Sequence, residues 1–165
     1  MNFKEYTPLA KRTITYDSHE KLLFCSMAGL MGEYTEYTEH LDCMSPQKLI
    51  TAEIGDICWD LAILIDYLGI DVIPRTCPSY ELDVHGFVTI GKIQEVLKKV
   101  ARDNDWIPDE LQKGTLEMLF NDLLYGITNK CLEFGMNLSD LLQANLEKLA
   151  DRAKRGVLKG SGDER

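Results

Sequence analysis

The sequence predicts an all-α protein, a helical bundle of about five helices. Apolar residues recur at three- and four-residue spacing through most of the 165-residue chain, as they do on the buried face of a helix. Helix-start signals precede these stretches, and glycine follows three of them. No stretch alternates apolar and polar residues in the manner of a strand. A chain of this length is expected to form a single domain.

The first predicted helix follows an arm, residues 1–16, which has no clear period and is expected to be irregular or partly helical. Asp17 is its expected cap, and the helical pattern covers residues 21–41. Gly29 and Gly32 weaken this helix by roughly 1 kcal/mol each relative to alanine. We expect them to let another helix or a ligand approach the backbone closely.

The second predicted helix covers residues 46–68, with Ser45 as its cap and Pro46 in its first position. Its apolar residues keep a period near 3.6, and Gly69 is well placed to end it. Prolines and a glycine interrupt residues 70–88, which are therefore expected to form a loop.

Three further helices complete the predicted bundle. The first two cover residues 89–104 and 109–134. The last begins after a capping Asn137 and ends at Gly156. No internal repeat or low-complexity segment interrupts this pattern.

The composition excludes several classes of protein. A net charge of −9 argues against binding to nucleic acid through charge alone, although a small anion carried on metal ions is compatible with it. No run of 18 apolar residues predicts a membrane span, and no apolar signal core follows the N-terminus. The five cysteines include no CxxC pair, so neither a zinc site nor a disulfide framework is predicted. A reducing, cytoplasmic compartment is therefore expected.

Four acids in the first two helices form the pattern that most needs an explanation. Glu33 and Glu36 are spaced i, i+3, and so are Glu53 and Asp56, which puts each pair on one face of its helix. If the two helices are antiparallel neighbours, the four carboxylates enclose one gap. Oxygen ligands of this kind suit Mg²⁺, or Mn²⁺, with waters and phosphate oxygens completing the shell. The alternative is a solvated acidic surface.

The last helix provides a basic counterpart. Asn145, Lys148 and Arg152 are spaced i, i+3, i+7 and therefore share one face. Residues 145–160 contain five basic and two acidic side chains, a balance of +3 in an acidic chain. Such a face suits phosphate oxygens. The alternative is an ordinary helix end, where basic residues are favoured by the helix dipole.

These motifs together resemble the MazG-like branch of the all-α nucleoside triphosphate pyrophosphohydrolases. That family has ExxE on one helix and ExxD on the next, which residues 29–36 (GLMGEYTE) and 53–56 (EIGD) match. Residues 145–152 (NLEKLADR) resemble its Asn-x-x-Lys-Leu-x-x-Arg element. The tail, residues 155–163, resembles the ending of its longer phage and bacterial members. Residues 70–136 resemble an inserted helical pair, which the compact members lack.

The resemblance implies Mg²⁺-dependent hydrolysis of a nucleoside or deoxynucleoside triphosphate to the monophosphate and pyrophosphate. It implies that Glu33, Glu36, Glu53 and Asp56 are the metal ligands. One of the two glutamates of the first pair is the candidate for the catalytic base that accepts a proton from water, and the sequence does not choose between them.

The resemblance also implies substrate-binding roles. Asn145 and Lys148 match positions that hold metal or phosphate, and Arg152 and Lys159 would stabilise negative charge on the triphosphate. Family members are typically oligomeric, so a homo-oligomer is expected, either a dimer or a tetramer built as a dimer of dimers.

The chain departs from the family where Trp59 and Asp60 stand in place of a common aromatic pair. Asp60 lies one turn after Asp56, so it is expected either to support a metal ligand or to accept two hydrogen bonds from a guanine edge. The second role would favour a purine nucleotide such as dGTP. Trp59 is expected either to stack on the base or to pack in the core.

Other functions remain open at this point. A pyrimidine dNTP pyrophosphatase of the same superfamily would use the same acids. A non-catalytic helical interaction protein would show no Mg²⁺-dependent turnover. A di-iron carboxylate bundle is disfavoured, because it requires Glu-x-x-His pairs and His19, His40 and His85 complete none.

Overall fold

The computed structural model describes residues 1–72 and 80–158, and in these residues the protein is all-α, with no strand. The predicted fold class is thereby confirmed. Within the described residues there are six helices instead of five: α1 (Phe3–Ala10), α2 (His19–Asp42), α3 (Gln47–Tyr67), α4 (Leu82–Asn104), α5 (Glu110–Glu133) and α6 (Leu138–Arg155). A 3-10 turn, Lys11–Thr13, follows α1.

The helices pack as two pairs with an additional helix against the first pair. Helices α2 and α3 lie side by side, as do α4 and α5, and α2 also packs on α4. Helix α6 packs mainly on α3, and α1 contacts both α3 and α6. One hydrophobic core takes side chains from all six helices. The two predicted motif helices thus pack on each other, with α4 against α2 and α6 against α3.

The N-terminal arm is more regular than the sequence pattern indicates. Asn2 and Glu5 form a capping box at the start of α1, in which each side chain accepts a hydrogen bond from the other's backbone N–H. The 3-10 turn that follows is held on α3, since the indole N–H of Trp59 donates to Thr13 Oγ1 at 3.0 Å. Lys11 also pairs with Asp66 of α3 at 2.5 Å. The sixth helix comes from this arm.

Two predicted helix caps are corrected. Ser18, not Asp17, caps α2, because its hydroxyl accepts from the backbone N–H of Lys21 at 3.2 Å. Ser45 does not cap α3, where no side chain accepts from the first turn; its hydroxyl lies 2.9 Å from Nδ1 of His40. A short polar side chain bonds with whichever polar group lies nearest in the fold. The sequence alone therefore does not tell which of two adjacent polar residues caps a helix.

Helix α4 begins at Leu82, seven residues before the predicted start at residue 89. Gly86 indicated a loop, but it lies inside the helix, where a Cβ atom would come within 2.4 Å of the Tyr34 ring. Glycine is used here for close packing of α2 against α4, so it does not break the helix. The Tyr34 hydroxyl donates to the carbonyl of Leu82 at 3.0 Å. Pro74 and Pro78 lie outside the described residues.

The remaining boundaries agree with the predicted ones to within one or two residues. Asn137 caps α6 in a capping box with Asp140, as expected. Gly69 follows α3 with φ of +62°, a conformation in which glycine carries no steric penalty. Over the part of the chain that the structure describes, no helix combines the length and the apolar character that crossing a bilayer requires.

Candidate metal centre

Three of the four predicted metal ligands meet between α2 and α3. Glu33, Glu53 and Asp56 each place one carboxylate oxygen within 4.8 Å of those of the other two. Glu53 is buried, with 1% of its surface exposed, while Glu33 and Asp56 are half-buried. The i, i+3 spacing on α3 and the packing of α2 against α3 bring these three carboxylates together.

Glu36 is the acid that stands apart. It lies on an exposed position of α2, and it is outside the group of described acids whose oxygens come together. It is still close enough to Glu33 for its charge to raise the pKa of that group. Its roles as a metal ligand and as a candidate catalytic base stay predictions.

Burial and neighbouring charges raise the pKa of Glu33. Burial has the largest effect, the charges of Asp56 and Glu36 act in the same direction, and the resulting pKa is about 7. A hydrogen bond with Glu53 and the positive charge of Lys148 act in the opposite direction. Near neutral pH this carboxyl group therefore exchanges a proton readily, and a cation in its place would relieve the same repulsion.

Helix α6 supplies both hydrogen-bond donors to Asp56. The amide nitrogen of Asn145 donates to Asp56 Oδ1 at 2.8 Å, and the ammonium of Lys148 donates to Oδ2 at 2.6 Å. Lys148 and Asp56 are both about one-fifth exposed, so this ion pair is partly shielded from water. The predicted basic face of the last helix thus lies against the acids.

Gly55, between the two acids of α3, makes this contact possible. A Cβ atom at this position would lie 2.9 Å from the amide nitrogen of Asn145 and 3.1 Å from its Cβ. Gly29 of α2 has a related role, since its Cβ would lie 2.2 Å from Asp60 Oδ2. The close approach expected for Gly29 is confirmed. No atom of the described residues lies within 4 Å of a Cβ added at Gly32, so no helix packs closely there, and the approach of a ligand stays a prediction.

Asp60 is buried beside the three acids. Burial raises its pKa well above the ordinary range, as do the charges of Glu33 and Asp56, and a hydrogen bond with Ser26 opposes the rise. Asp60 thus lies in contact with the same group of charges as the candidate ligands, and both of its expected roles, supporting a metal ligand and reading a base, stay predictions.

Trp59 and Arg152 line the same small pocket as the acids. This pocket has a volume of about 210 Å³, and its walls include Glu33, Asp56 and Asp60. The indole N–H of Trp59 is engaged by the N-terminal arm, so only its ring is available to a ligand. Arg152 is buried, with 5% of its surface exposed. Lys159 lies outside the described residues.

A larger groove of about 830 Å³ lies between the start of α3 and α6, and Lys148 forms part of its wall. It does not contain the three acids, but Asn145, Lys148 and Arg152 line it. Arg152 borders both the groove and the small pocket. Lys48 and Arg155 bring the number of basic side chains in its walls to four, against two acids. The basic face of α6 thus contacts Asp56 and also lines the groove.

Two residues near the acids were missed by the sequence analysis. Tyr6 of α1 donates a hydrogen bond to Asn145 at 2.7 Å, and His40 of α2 places Nε2 at 3.7 Å from Glu53 Oε1. His40 lies seven residues after Glu33, on the same face of α2, so helical spacing offered a signal. Tyr6 offered none, because the arm has no clear period.

The comparison with curated proteins finds a relative in the Gene 37 protein of Mycobacterium phage L5. The two sequences are 33% identical over 75 residues, which make up 46% of this chain and 66% of that protein. The matched region thus spans slightly less than two thirds of the phage protein, whose name states no activity. No protein-family model matches the chain, and no solved structure matches it either.

Proposed function

We propose that this protein is a Mg²⁺-dependent nucleoside triphosphate pyrophosphohydrolase of the MazG-like type. The observation that carries the proposal is the convergence of Glu33, Glu53 and Asp56, with Lys148 on Asp56. Three carboxylates so close, one of them fully buried, fit a hard divalent cation, which takes oxygen ligands. The donor set contains no thiolate or imidazole that would favour a softer metal.

Glu33, Glu53 and Asp56 would hold Mg²⁺, with Mn²⁺ as a substitute. The bound ion would supply neutralisation of phosphate charge and a lowered pKa for a water molecule. The raised pKa of Glu33 belongs to the metal-free protein, where burial and neighbouring acids favour a bound proton. The ion would take the place of that proton, so the choice of catalytic base between Glu33 and Glu36 stays a prediction. Asn145 would keep Asp56 oriented, since its amide donates to that carboxylate.

A basic surface that suits the phosphates of a triphosphate lies beside these acids. Lys148, Arg152 and Arg155 of α6 and Lys48 of α3 face the large groove, whose volume is in the range of nucleotide-sized sites. Positive groups placed there would stabilise the charge that accumulates on the departing pyrophosphate. This arrangement supports an anhydride substrate that carries several negative charges.

The deciding experiment measures pyrophosphate release from all common NTPs and dNTPs, with and without Mg²⁺. We expect Mg²⁺-dependent turnover by the wild type and a loss of at least about 100-fold in Asp56→Asn, because a ligand that also anchors Lys148 is removed. Glu39→Gln is the matched control, an exposed acid of α2 outside the converging group. A well-folded wild type without turnover would instead support a non-catalytic helical interaction protein.

The base preference is tested separately with Asp60→Asn. If Asp60 supports the metal ligands, the variant loses activity towards every substrate and keeps the same ranking of bases. If Asp60 reads guanine, the preference for guanine nucleotides is lost selectively. A ranking led by pyrimidine dNTPs in the wild type would point to the pyrimidine-specific alternative.

A further inference from the structure

A buried chain of hydrogen bonds connects the N-terminal arm to the candidate metal site. The Tyr6 hydroxyl of α1 donates to Asn145 Oδ1 of α6 at 2.7 Å. The amide nitrogen of Asn145 then donates to Asp56 Oδ1 of α3 at 2.8 Å. Three helices therefore meet at one amide group. Nothing in the i, i+3 pattern of the acids includes Tyr6.

The chemistry of the three groups defines the direction of this chain. An ionised carboxylate only accepts hydrogen bonds, so the Asn145 atom that faces Asp56 must be the amide nitrogen. The amide oxygen then faces Tyr6, and the hydroxyl must be the donor. If Asn145 turned over, its oxygen would face the Asp56 carboxylate, and two acceptors would oppose each other. Asp56 thus sets the orientation of the amide, and the Tyr6 hydroxyl supplies the donor that the amide oxygen needs in that orientation.

Burial gives this single hydroxyl its influence. Tyr6 is 0% exposed and Asn145 is 4% exposed, so bulk water is kept from the amide oxygen if the hydroxyl is removed. The arm that carries Tyr6 is also held in place on α3, through the contacts of Trp59 with Ala10 and Thr13. The hydroxyl is thus presented to Asn145 from a fixed helix.

We propose that Tyr6 is a positioning residue of the metal site, which holds the Asn145 amide in place so that Asp56 is kept ready to bind the ion. This proposal rests on the proposed function in one respect, namely that Asp56 is a metal ligand. It adds the N-terminal arm to the site, and it assigns to Tyr6 an effect on metal affinity that is separate from its packing in the core.

The test measures binding of Mg²⁺ alone by calorimetry, and of Mn²⁺ alone by electron paramagnetic resonance, to the full-length protein. Tyr6→Phe keeps the ring and removes the donor, and we expect it to weaken metal binding by about tenfold, as for other outer partners of metal ligands. Tyr37→Phe is the matched control, a fully buried tyrosine that donates to Asp83 away from the site. It should leave metal affinity unchanged.

A double-mutant cycle separates positioning from a general loss of packing. In the Asn145→Ala background, Tyr6→Phe should cause no further loss of metal affinity, because its effect passes through the amide. Two results would overturn the role of Tyr6 but leave the proposed function standing. The first is equal metal affinity in the wild type and in Tyr6→Phe, and the second is an undiminished effect of Tyr6→Phe on metal affinity in the Asn145→Ala background. A wild type that binds neither ion would overturn both proposals. Near-ultraviolet circular dichroism checks that each variant is folded.

Discussion

At the scale of single residues, the crowding of carboxylates gives the site its chemistry. Glu33 and Asp60 both have raised pKa values, first because they are buried and then because other acids face them. Lys148 offsets part of this repulsion from the α6 side. The four acids of the sequence pattern are not equivalent, since Glu53 is buried at the centre of the group and Glu36 is exposed at its edge.

The difference between Glu53 and Glu36 leads to the first prediction. Glu53→Gln should lower Mg²⁺-dependent pyrophosphate release by at least about 100-fold, because it removes a central ligand oxygen. Glu36→Gln should lower it by less than about tenfold, since the side chain lies outside the converging group. Activity assays at saturating Mg²⁺ compare the two. An equal loss of activity in both variants would contradict this prediction and would indicate that Glu36 is a metal ligand, as the ExxE motif implies.

The raised pKa of Glu33 leads to a prediction for the metal-free protein. Its folded-state pKa of about 7 exceeds the ordinary value of 4.5, so between these pH values the folded state binds more protons than the unfolded state. The free energy of unfolding should therefore decrease as pH rises from 4.5 to about 7, by on the order of 1–3 kcal/mol from this group.

The measurement is urea denaturation at pH 5 and pH 8, with wild type and Glu33→Gln. The glutamine variant should lack this part of the pH dependence, because it has no proton to release. Mg²⁺ should restore stability to the wild type at pH 8, since the ion takes over the role of the proton. Identical pH profiles for the two proteins would refute the assignment.

At the scale of elements, the contact between α3 and α6 organises the site. Gly55 provides the space for Asn145, and the basic face of α6 then reaches Asp56. The hydrophobic pattern of α6 places Leu141 and Leu142 in the core on the same side of the bundle. The position of α6 and the hydrogen bonds to Asp56 are therefore coupled, because a displacement of α6 also moves Asn145 and Lys148 away from that carboxylate.

Gly55→Ala tests this coupling. The added methyl group would lie 2.9 Å from the Asn145 amide nitrogen, so α6 must shift or Asn145 must turn. We expect weaker Mg²⁺ binding by about tenfold, together with a loss of roughly 1–3 kcal/mol of stability from overpacking. Gly114→Ala is the control, a helical glycine of α5 with no atom within 4 Å of an added Cβ. That substitution should stabilise the protein by about 0.5–1 kcal/mol.

At the scale of the whole molecule, a polar network joins the motif helices to the α4–α5 pair. Lys130 of α5 is buried and pairs with Asp83 of α4 at 2.6 Å and with Glu133 at 2.5 Å. Asp83 also accepts a hydrogen bond from Tyr37 of α2. Three helices thus share one cluster, in which Asp83 is separated from Tyr37 by 46 positions and from Lys130 by 47 positions along the chain. This cluster ties α2 to α4 and α5.

Lys130→Met should destabilise the fold, because the partly exposed carboxylates of Asp83 and Glu133 lose the buried ammonium group with which both are paired. The expected loss is about 1–3 kcal/mol in the free energy of unfolding, measured by denaturant titration. Lys113→Met removes an exposed pair with Glu110 and should cost less than about 0.5 kcal/mol. Equal effects of the two substitutions would show that the cluster contributes no more than a surface pair.

The number of subunits belongs to the same scale and stays a prediction. The sequence resemblance implies a homo-oligomer, either a dimer or a dimer of dimers. Light scattering coupled to gel filtration measures the mass directly, and a multiple of the 18.8 kDa chain is the expected result. A monomer at micromolar concentration would refute it.

The helices and their acid pairs were predictable from the sequence because they depend on local interactions. Apolar spacing, the Asn137 capping box and the glycine after α3 act within a few residues of the chain. Prediction was wrong where a local signal was ambiguous. Gly86 suggested a break in the helix, but it serves the packing of Tyr34, and the helical arm lacked a clear apolar period.

The sequence by itself thus determined the all-α class, the i, i+3 placement of the acids and the basic face of the last helix. Only the tertiary structure decided that Glu33, Glu53 and Asp56 converge while Glu36 stays exposed. It also decided that Tyr6 contacts Asn145 and that Asn145 contacts Asp56, pairs that are 139 and 89 residues apart along the chain. The physical reason is that helix periodicity is a short-range property, whereas the distance between side chains of different helices depends on how the whole core packs.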